Sequence, residues 1–197
     1  MKRLVLATTN SGKVRELKRL LADVPLEVCS LASYPPLPPV EEDGAGFLEN
    51  ACKKARAVAR HTGEMTLADD SGIEVDALQG APGVHSARYA GPNATDGENV
   101  AKLLEAMQGV PQEKRTAAFR CVLVLCDTEG HSVVFEGTWT GQISEAPCGD
   151  GGFGYDPLFF VPEAGRTAAQ MTPEEKNRLS HRARALEELK RYLRDLG

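Results

Sequence analysis

KRLVLATTNSGKVRELKRLLADVPLEVCSL, residues 2–31, decides the fold. Lys2 to Thr8 is a short apolar run that closes in the polar turn Thr9-Asn10-Ser11-Gly12. Val14, Leu17, Leu20, Leu21 and Val24 then recur at the spacing of one helix face. Leu26 to Leu31 offers a second strand. With the helix as crossover the stretch reads as a βαβ unit, which places the chain among α/β domains. Met1 to Leu6 reads straight into the first strand and not as a signal peptide.

Beyond this unit the punctuation stays regular. Residues 34–46 (YPPLPPVEEDGAG) are Pro-rich and then acidic, a loop long enough to suspect function. Phe47, Ala51, Ala55, Val58 and Ala59 form a helical stripe over Phe47 to Thr62, with Gly63 as stop signal. Met65 to Ala68 is expected as a strand running into the turn-like Asp69-Asp70-Ser71-Gly72, and Ile73 to Leu78 as another short strand. After the irregular residues 80–95, Val100, Leu103, Leu104 and Met107 line one helix face. Thr116 to Cys126 and Ser132 to Ile143, rich in β-branched and aromatic residues, predict a long hairpin around residues 127–131. Leu158 to Val161 is a further strand. One last helix is expected from its capping box, Thr172 with Pro173 and Glu175, its buried stripe being Leu179, Leu186, Leu189, Leu193 and Leu196. A hairpin among alternating strands and helices predicts a mixed sheet.

The 197 residues carry 23 Lys+Arg and 28 Asp+Glu, net −5, with 42% apolar and 26% charged residues. That is ordinary globular composition for one core with a small lobe at most. The negative balance argues against sequence-independent binding to DNA or an acidic membrane, which needs a basic surface. No apolar run approaches a membrane span, and the protein is expected in the cytoplasm. The five cysteines are odd in number and contain no C-x-x-C pair, so reduced, structural thiols are expected. Cys121 and Cys126, five apart in a strand, point to opposite faces. Charge is uneven: residues 165–197 hold eight positive and five negative groups, +3, which leaves −8 elsewhere. A helix with a solvated charged face explains the tail; so does an affinity for phosphate.

Four motifs carry chemistry, each with a plainer explanation beside it. Thr8-Thr9-Asn10-Ser11-Gly12-Lys13 sits where a strand hands over to a helix, where free N–H groups and the helix dipole favour an anion. It is not a Walker A loop, since Ala7 and Val14 stand where that motif needs Gly and Ser/Thr. Lys13 opposes the dipole unless an anion lies between them; the plainer reading is a solvated lysine. Residues 149–154 (GDGGFG) match a dinucleotide fingerprint by letter but fail by context, because Tyr155-Asp156-Pro157 leads into a strand and not a helix. A loop allowing close approach and a connecting turn both fit. Asp69-Asp70 at a strand end, with Glu41-Glu42-Asp43 as a second source of carboxylate, is the oxygen set that Mg²⁺ takes while phosphates and water complete its shell. A turn or helix cap explains the pair equally. Lys176, His181 and Arg182 at the entrance of the last helix could close on a ligand, or decorate its surface.

Five blocks in order resemble the inosine triphosphate pyrophosphatase family: LATTNSGKVREL, EEDGAGFLENACKKAR, ADDSGIEVDALQGAPGVHSARYAG, GGFGYDPLFFVP and MTPEEKNRLSHRARAL. The resemblance implies one domain over residues 1–197, an elongated mixed α/β sheet flanked by helices, with two lobes and a central cleft. It implies hydrolysis of inosine, deoxyinosine or xanthosine triphosphate (ITP, dITP, XTP) to the monophosphate and pyrophosphate, by a homodimer using Mg²⁺, with no nucleic-acid or membrane partner. Thr8, Asn10, Lys13 and Lys54 would contact the triphosphate, and Ser71 would approach the substrate. Asp70 would hold the metal and accept the proton, Asp69 would help polarise the attacking water, and Glu41, with Glu42 as the open alternative, would be the second metal carboxylate. Phe153, Gly154, Tyr155, Asp156, Lys176, His181 and Arg182 would form the base pocket. A pyrophosphatase for modified pyrimidine triphosphates and a non-catalytic nucleotide-binding module are the competing readings.

Overall fold

The computed structural model describes residues 2–195; Met1 and Leu196, assigned above to the first strand and the last helical stripe, lie outside the described residues. The opening stretch folds as β1 (Arg3–Leu6), α1 (Ser11–Leu20) and β2 (Glu27–Ser30), with β1 and β2 parallel and paired from Arg3 with Glu27 to Leu6 with Ser30. The remaining elements are α2 (Phe47–Thr62), β3 (Met65–Val75), α3 (Asp96–Ala106), β4 (Thr116–Cys126), β5 (Ser132–Ile143), β6 (Phe159–Val161), β7 (Arg166–Thr167), α4 (Pro173–Leu179) and α5 (His181–Asp195). One seven-stranded sheet runs β2-β1-β3-β4-β5-β6-β7. It is mixed: β1 is parallel to β2 and β3, while β5, β6 and β7 pair antiparallel.

The chain divides into two compact units, Met1–Asp70 with Cys121–Gly137 and Arg182–Gly197, and Ser71–Arg120 with Thr138–His181. The first unit has a core on each face of its strands. Leu4, Leu6, Leu67, Cys121 and Leu123 meet Leu17 and Leu21 of α1 and Ala185, Leu186 and Leu189 of α5. Val5, Ala7, Ala68, Val122, Val124 and Cys126 meet Ala51, Ala55, Val58 and Ala59 of α2. Covering both faces is why these strands read as continuous apolar runs, and why Cys121 and Cys126 fall into different clusters. Each fully buried leucine here contributes about 1.5–3 kcal/mol. The second unit has its own core, with Ile73, Val75, Leu103, Met107, Phe119, Trp139, Ile143, Leu158 and Phe159. Among the described residues, no helix is long and apolar enough to cross a membrane.

Two expectations are corrected. Asp69-Asp70-Ser71-Gly72 is not a turn between two strands. It lies inside one eleven-residue strand, β3, and residues 76–78 form a 3₁₀ turn. The last helix is two helices: Ser180 is extended (φ −67°, ψ 156°), its N–H bonds to the carbonyl of Lys176, and α5 starts at His181. A serine ready to cap a new helix, just after the last turn of α4, resets the phase, so angles counted along a single helix do not relate Lys176 to His181.

Candidate active site

In the first unit, β1 hands over to α1 through Thr8 and Asn10. Thr8 Oγ1 accepts from Asn10 N at 3.2 Å, and Asn10 Oδ1 caps the helix by accepting from Lys13 N at 3.0 Å. These side chains shape the turn while leaving it at the surface. Lys13, whose position opposes the helix dipole, has its anion in Asp69: Nζ lies 2.6 Å from Asp69 Oδ1. On the facing side of Asp69, Arg182 Nε donates to Oδ2 at 2.6 Å, Cys121 Sγ lies 3.6 Å away, and the same guanidinium reaches Glu16 Oε2 at 2.5 Å. Arg182 is 1% exposed and Asp69 likewise 1%. Burial works to raise the Asp69 pKa, but the charges of Arg182 and Lys13 outweigh it and hold the carboxyl well below its ordinary range. The carboxylates of Asp69 and Glu16, against desolvation, push Arg182 further up.

Asp70, the next residue in β3, points to the other side of the strand, as alternation requires. Its Oδ1 accepts from Lys54 Nζ at 2.9 Å, and that ammonium also donates to the Asp69 carbonyl at 3.0 Å and pairs with Glu42 Oε1 at 3.2 Å. Here burial wins: the Asp70 pKa is raised, with Lys54 opposing and Glu42 adding to the shift. Lys54 is buried on the core side of α2, and its pKa is raised because Asp70 and Glu42 more than offset desolvation. The loop carrying Glu42 is tied to the same helix, through Gly44 N to Asn50 Oδ1 (2.8 Å), Ala45 N to Glu49 Oε2 (3.0 Å) and Lys53 to Asp43 (2.7 Å). The loop carboxylate brought to Lys54 is therefore Glu42; Glu41 is exposed.

Asp70 Oδ2 is buried and has no hydrogen-bond partner. A buried carboxylate oxygen left without a donor is costly unless something else binds it. Beside Glu42 it presents the hard oxygen donors that a divalent cation takes through one or two carboxylates. The residues fit such an ion.

The second unit holds the other named residues. Asp156, 1% exposed, accepts at Oδ2 from Phe153 N (2.9 Å) and from Lys176 Nζ (2.5 Å), and Lys176 stands 4.8 Å over the Phe153 ring. The glycine-rich loop is what permits this: Gly152 has φ +74°, and a Cβ there would overlap Asp156 Oδ2. Gly154 N donates to Asp96 Oδ2 at 2.7 Å, in the first turn of α3. Tyr155 donates its hydroxyl to the Ser86 carbonyl at 2.7 Å, and burial raises its pKa. Tyr155 is thus a structural post under the loop. His181 is 4% exposed at the start of α5, and Ser71 is partly buried on β3.

The structure brings Lys13, Lys54, Asp69, Asp70 and Arg182 together in one unit, and Phe153, Asp156 and Lys176 in the other. Arg182, which the resemblance assigns to the base pocket, pairs here with Asp69 and Glu16. Glu16 escaped the sequence reading because one glutamate among the charges of α1 looks like surface decoration. Only its partner, 166 residues away, marks it.

The model of the Ham1 family matches residues 4–192. The chain is 54% identical over 193 residues to the dITP/XTP pyrophosphatase of Geobacter sulfurreducens, covering 98% of this chain and 97% of that one. To the protein of the same name from Geobacillus kaustophilus it is 53% identical over 189 residues, covering 96% and 93%. Among solved structures, a Ham1 protein from Coxiella burnetii superposes with a TM-score of 0.88 at 45% identity, over 99% of this chain and 100% of that one. The nucleoside-triphosphatase / dITP/XTP pyrophosphatase of Mycobacterium abscessus superposes at 0.77 and 46% identity, over 95% and 98%.

Proposed function

The chain belongs to the Ham1 family, and from that premise we propose that it hydrolyses nonstandard purine nucleoside triphosphates, dITP, ITP and XTP, to the monophosphate and pyrophosphate, clearing them before they enter nucleic acid. The observation that carries this reading is the buried, unpartnered Oδ2 of Asp70 beside the Glu42–Lys54 pair. Breaking a phosphoanhydride demands positioning and charge neutralisation more than covalent chemistry, and this group offers both signs of charge without a nucleophilic side chain. Asp70 with Glu42, or Glu41 in its place, would hold Mg²⁺, which when bound supplies charge neutralisation at phosphate oxygens.

The chain's own residues do the rest. Lys13 and Lys54, with the N–H groups of the Thr8–Lys13 turn, orient the triphosphate. Asp70 accepts the proton of the water attacking the α-phosphorus, and pyrophosphate leaves. Asp69 has both oxygens engaged, by Lys13 and Arg182. Its part in activating water is therefore indirect: it fixes the ammonium of Lys13. In the second unit, Phe153 offers a ring for stacking, and Lys176 and His181 offer donors to the 6-oxo group. Adenine presents a donor there, which leaves buried donors unpaired, and polar pairing of this kind discriminates strongly. A cytoplasmic homodimer acting on free nucleotides, with no nucleic-acid or membrane partner, belongs to the same proposal. The net charge of −5 supports the part concerning nucleic acid.

A substrate panel with and without Mg²⁺, resolving pyrophosphate from orthophosphate, tests the proposal. Turnover of dITP and XTP to monophosphate and pyrophosphate, with ATP far slower and no turnover without metal, is expected. Faster turnover of modified pyrimidine triphosphates, orthophosphate as product, or binding without turnover overturns it.

A further inference from the structure

Phe119 lies outside every motif that pointed to the site. It sits on β4, 7% exposed, and its ring stacks on the imidazole of His181 with centroids 4.8 Å apart and planes 11° apart. Phe119 is itself packed against two further rings. Phe159 meets it at 4.5 Å and 50°, Trp139 at 6.3 Å, and Trp139 and Phe159 meet each other at 5.0 Å, separations aromatic pairs favour. This backing matters because the terminal torsion of histidine is broad and roughly two-fold, so the side chain alone does not fix its ring plane. Both ring nitrogens bond within that plane. A flat ring on one face blocks rotation about the Cβ–Cγ bond and leaves the imidazole one plane in which to present its nitrogens.

We propose that Phe119 is a positioning residue for base selection, acting through His181: the Phe119 ring fixes the plane of the imidazole, and with it the direction in which His181 meets the 6-oxo group of the purine. The inference rests on the reading of His181 as a base-pocket residue. It commits Phe119 to discrimination between purines and not to phosphate chemistry, which lies with other residues.

The test compares Phe119→Leu with Trp139→Phe, which lightens the same cluster without removing the ring under His181. In the wild type the His181 ring protons should be shifted upfield in the NMR spectrum by the Phe119 ring current. Phe119→Leu is expected to abolish that shift and to lower the dITP:dATP ratio of kcat/KM by about tenfold, the scale on which a donor displaced by a fraction of an ångström acts. The fall should come from dITP while dATP stays level. Trp139→Phe should lose thermal stability yet keep both shift and ratio. Phe119→Met, closer in volume, repeats the measurement if Phe119→Leu does not fold. An unchanged ratio in Phe119→Leu, where His181→Ala lowers it, overturns the positioning role alone. An unchanged ratio in His181→Ala as well overturns the base-pocket reading beneath it.

Discussion

Asp69 and Asp70 are chemically identical neighbours, and their surroundings drive them in opposite directions. Asp69 meets two cations, so its folded pKa lies below the unfolded value of about 3.9. It stabilises the fold above that value, and the contribution is lost as pH falls through the folded pKa. Asp70 is acted on by burial first of all, with Lys54 and Lys13 opposing and the Glu42 carboxylate adding to the shift, and its folded pKa is raised. Its ionisation therefore weakens the fold at neutral pH, an effect that disappears below about pH 3.9, where it is protonated in both states. On the proposed mechanism, stability and chemistry are thus separated between the two. Asp70→Asn should lower kcat for dITP by roughly a hundredfold or more, while raising the Tm of the metal-free protein at pH 7, since it removes the ionisation that burial opposes. Asp69→Asn takes the carboxylate from Lys13, leaves the buried Arg182 with Glu16 alone, and should cost about 3–5 kcal/mol. Thermal melts of the two variants at pH 7 and pH 3.5 check both signs; a lower Tm for Asp70→Asn at pH 7 would refute the assignment.

The elements show which parts of this arrangement were legible in the sequence. The βαβ unit, α2 over Phe47–Thr62 and the β4–β5 hairpin are as the periodicity predicts, because each is fixed by local pattern and the ends carry turn residues. β3 was misread because Asp-Asp-Ser-Gly is turn chemistry locally, and the cations that let it lie in a buried strand come from α1, α2 and α5. The break at Ser180 was misread for a different reason: the apolar spacing of α4 and α5 nearly continues across it, and only the serine itself signals the cap. Lys13 and Asp70 stand in local motifs and are named by the sequence; Glu16 and Phe119 are marked only by a distant partner and carry no such signal. The 149–156 loop lies between these cases, since its glycines were visible but their purpose was not. Gly152 gives room to Asp156 and, through it, to Lys176 and Phe153. Gly152→Ala should therefore lower the dITP:dATP ratio of kcat/KM by roughly tenfold or more, whereas Gly165→Ala, left-handed but in open space, should cost only about 1 kcal/mol of backbone strain. Steady-state kinetics on both substrates and thermal melts distinguish the two effects.

The two units of the molecule have separate cores but not separate chains. The backbone passes between them after Asp70, Arg120, Gly137 and His181, and three of those passages fall inside β3, β4 and β5. Each of these strands gives one half to each core: β4 places Phe119 in one cluster and Leu123 in another. Loss of either core would remove the packing from half of β3, β4 and β5 at once, and the ladder bonds of the other half would fray from their cut ends. Connectivity of this kind opposes independent unfolding, whatever the separation of the cores suggests. The chain should therefore unfold in one cooperative transition, with calorimetric and van't Hoff enthalpies equal. Leu123→Ala in the first unit and Leu158→Ala in the second, both 0% exposed, should each cost about 2–5 kcal/mol and lower the same single Tm. Differential scanning calorimetry of the two variants decides the matter: if either splits the melt into two resolved transitions, the strands do not couple the cores, and each unit is a folding domain in its own right.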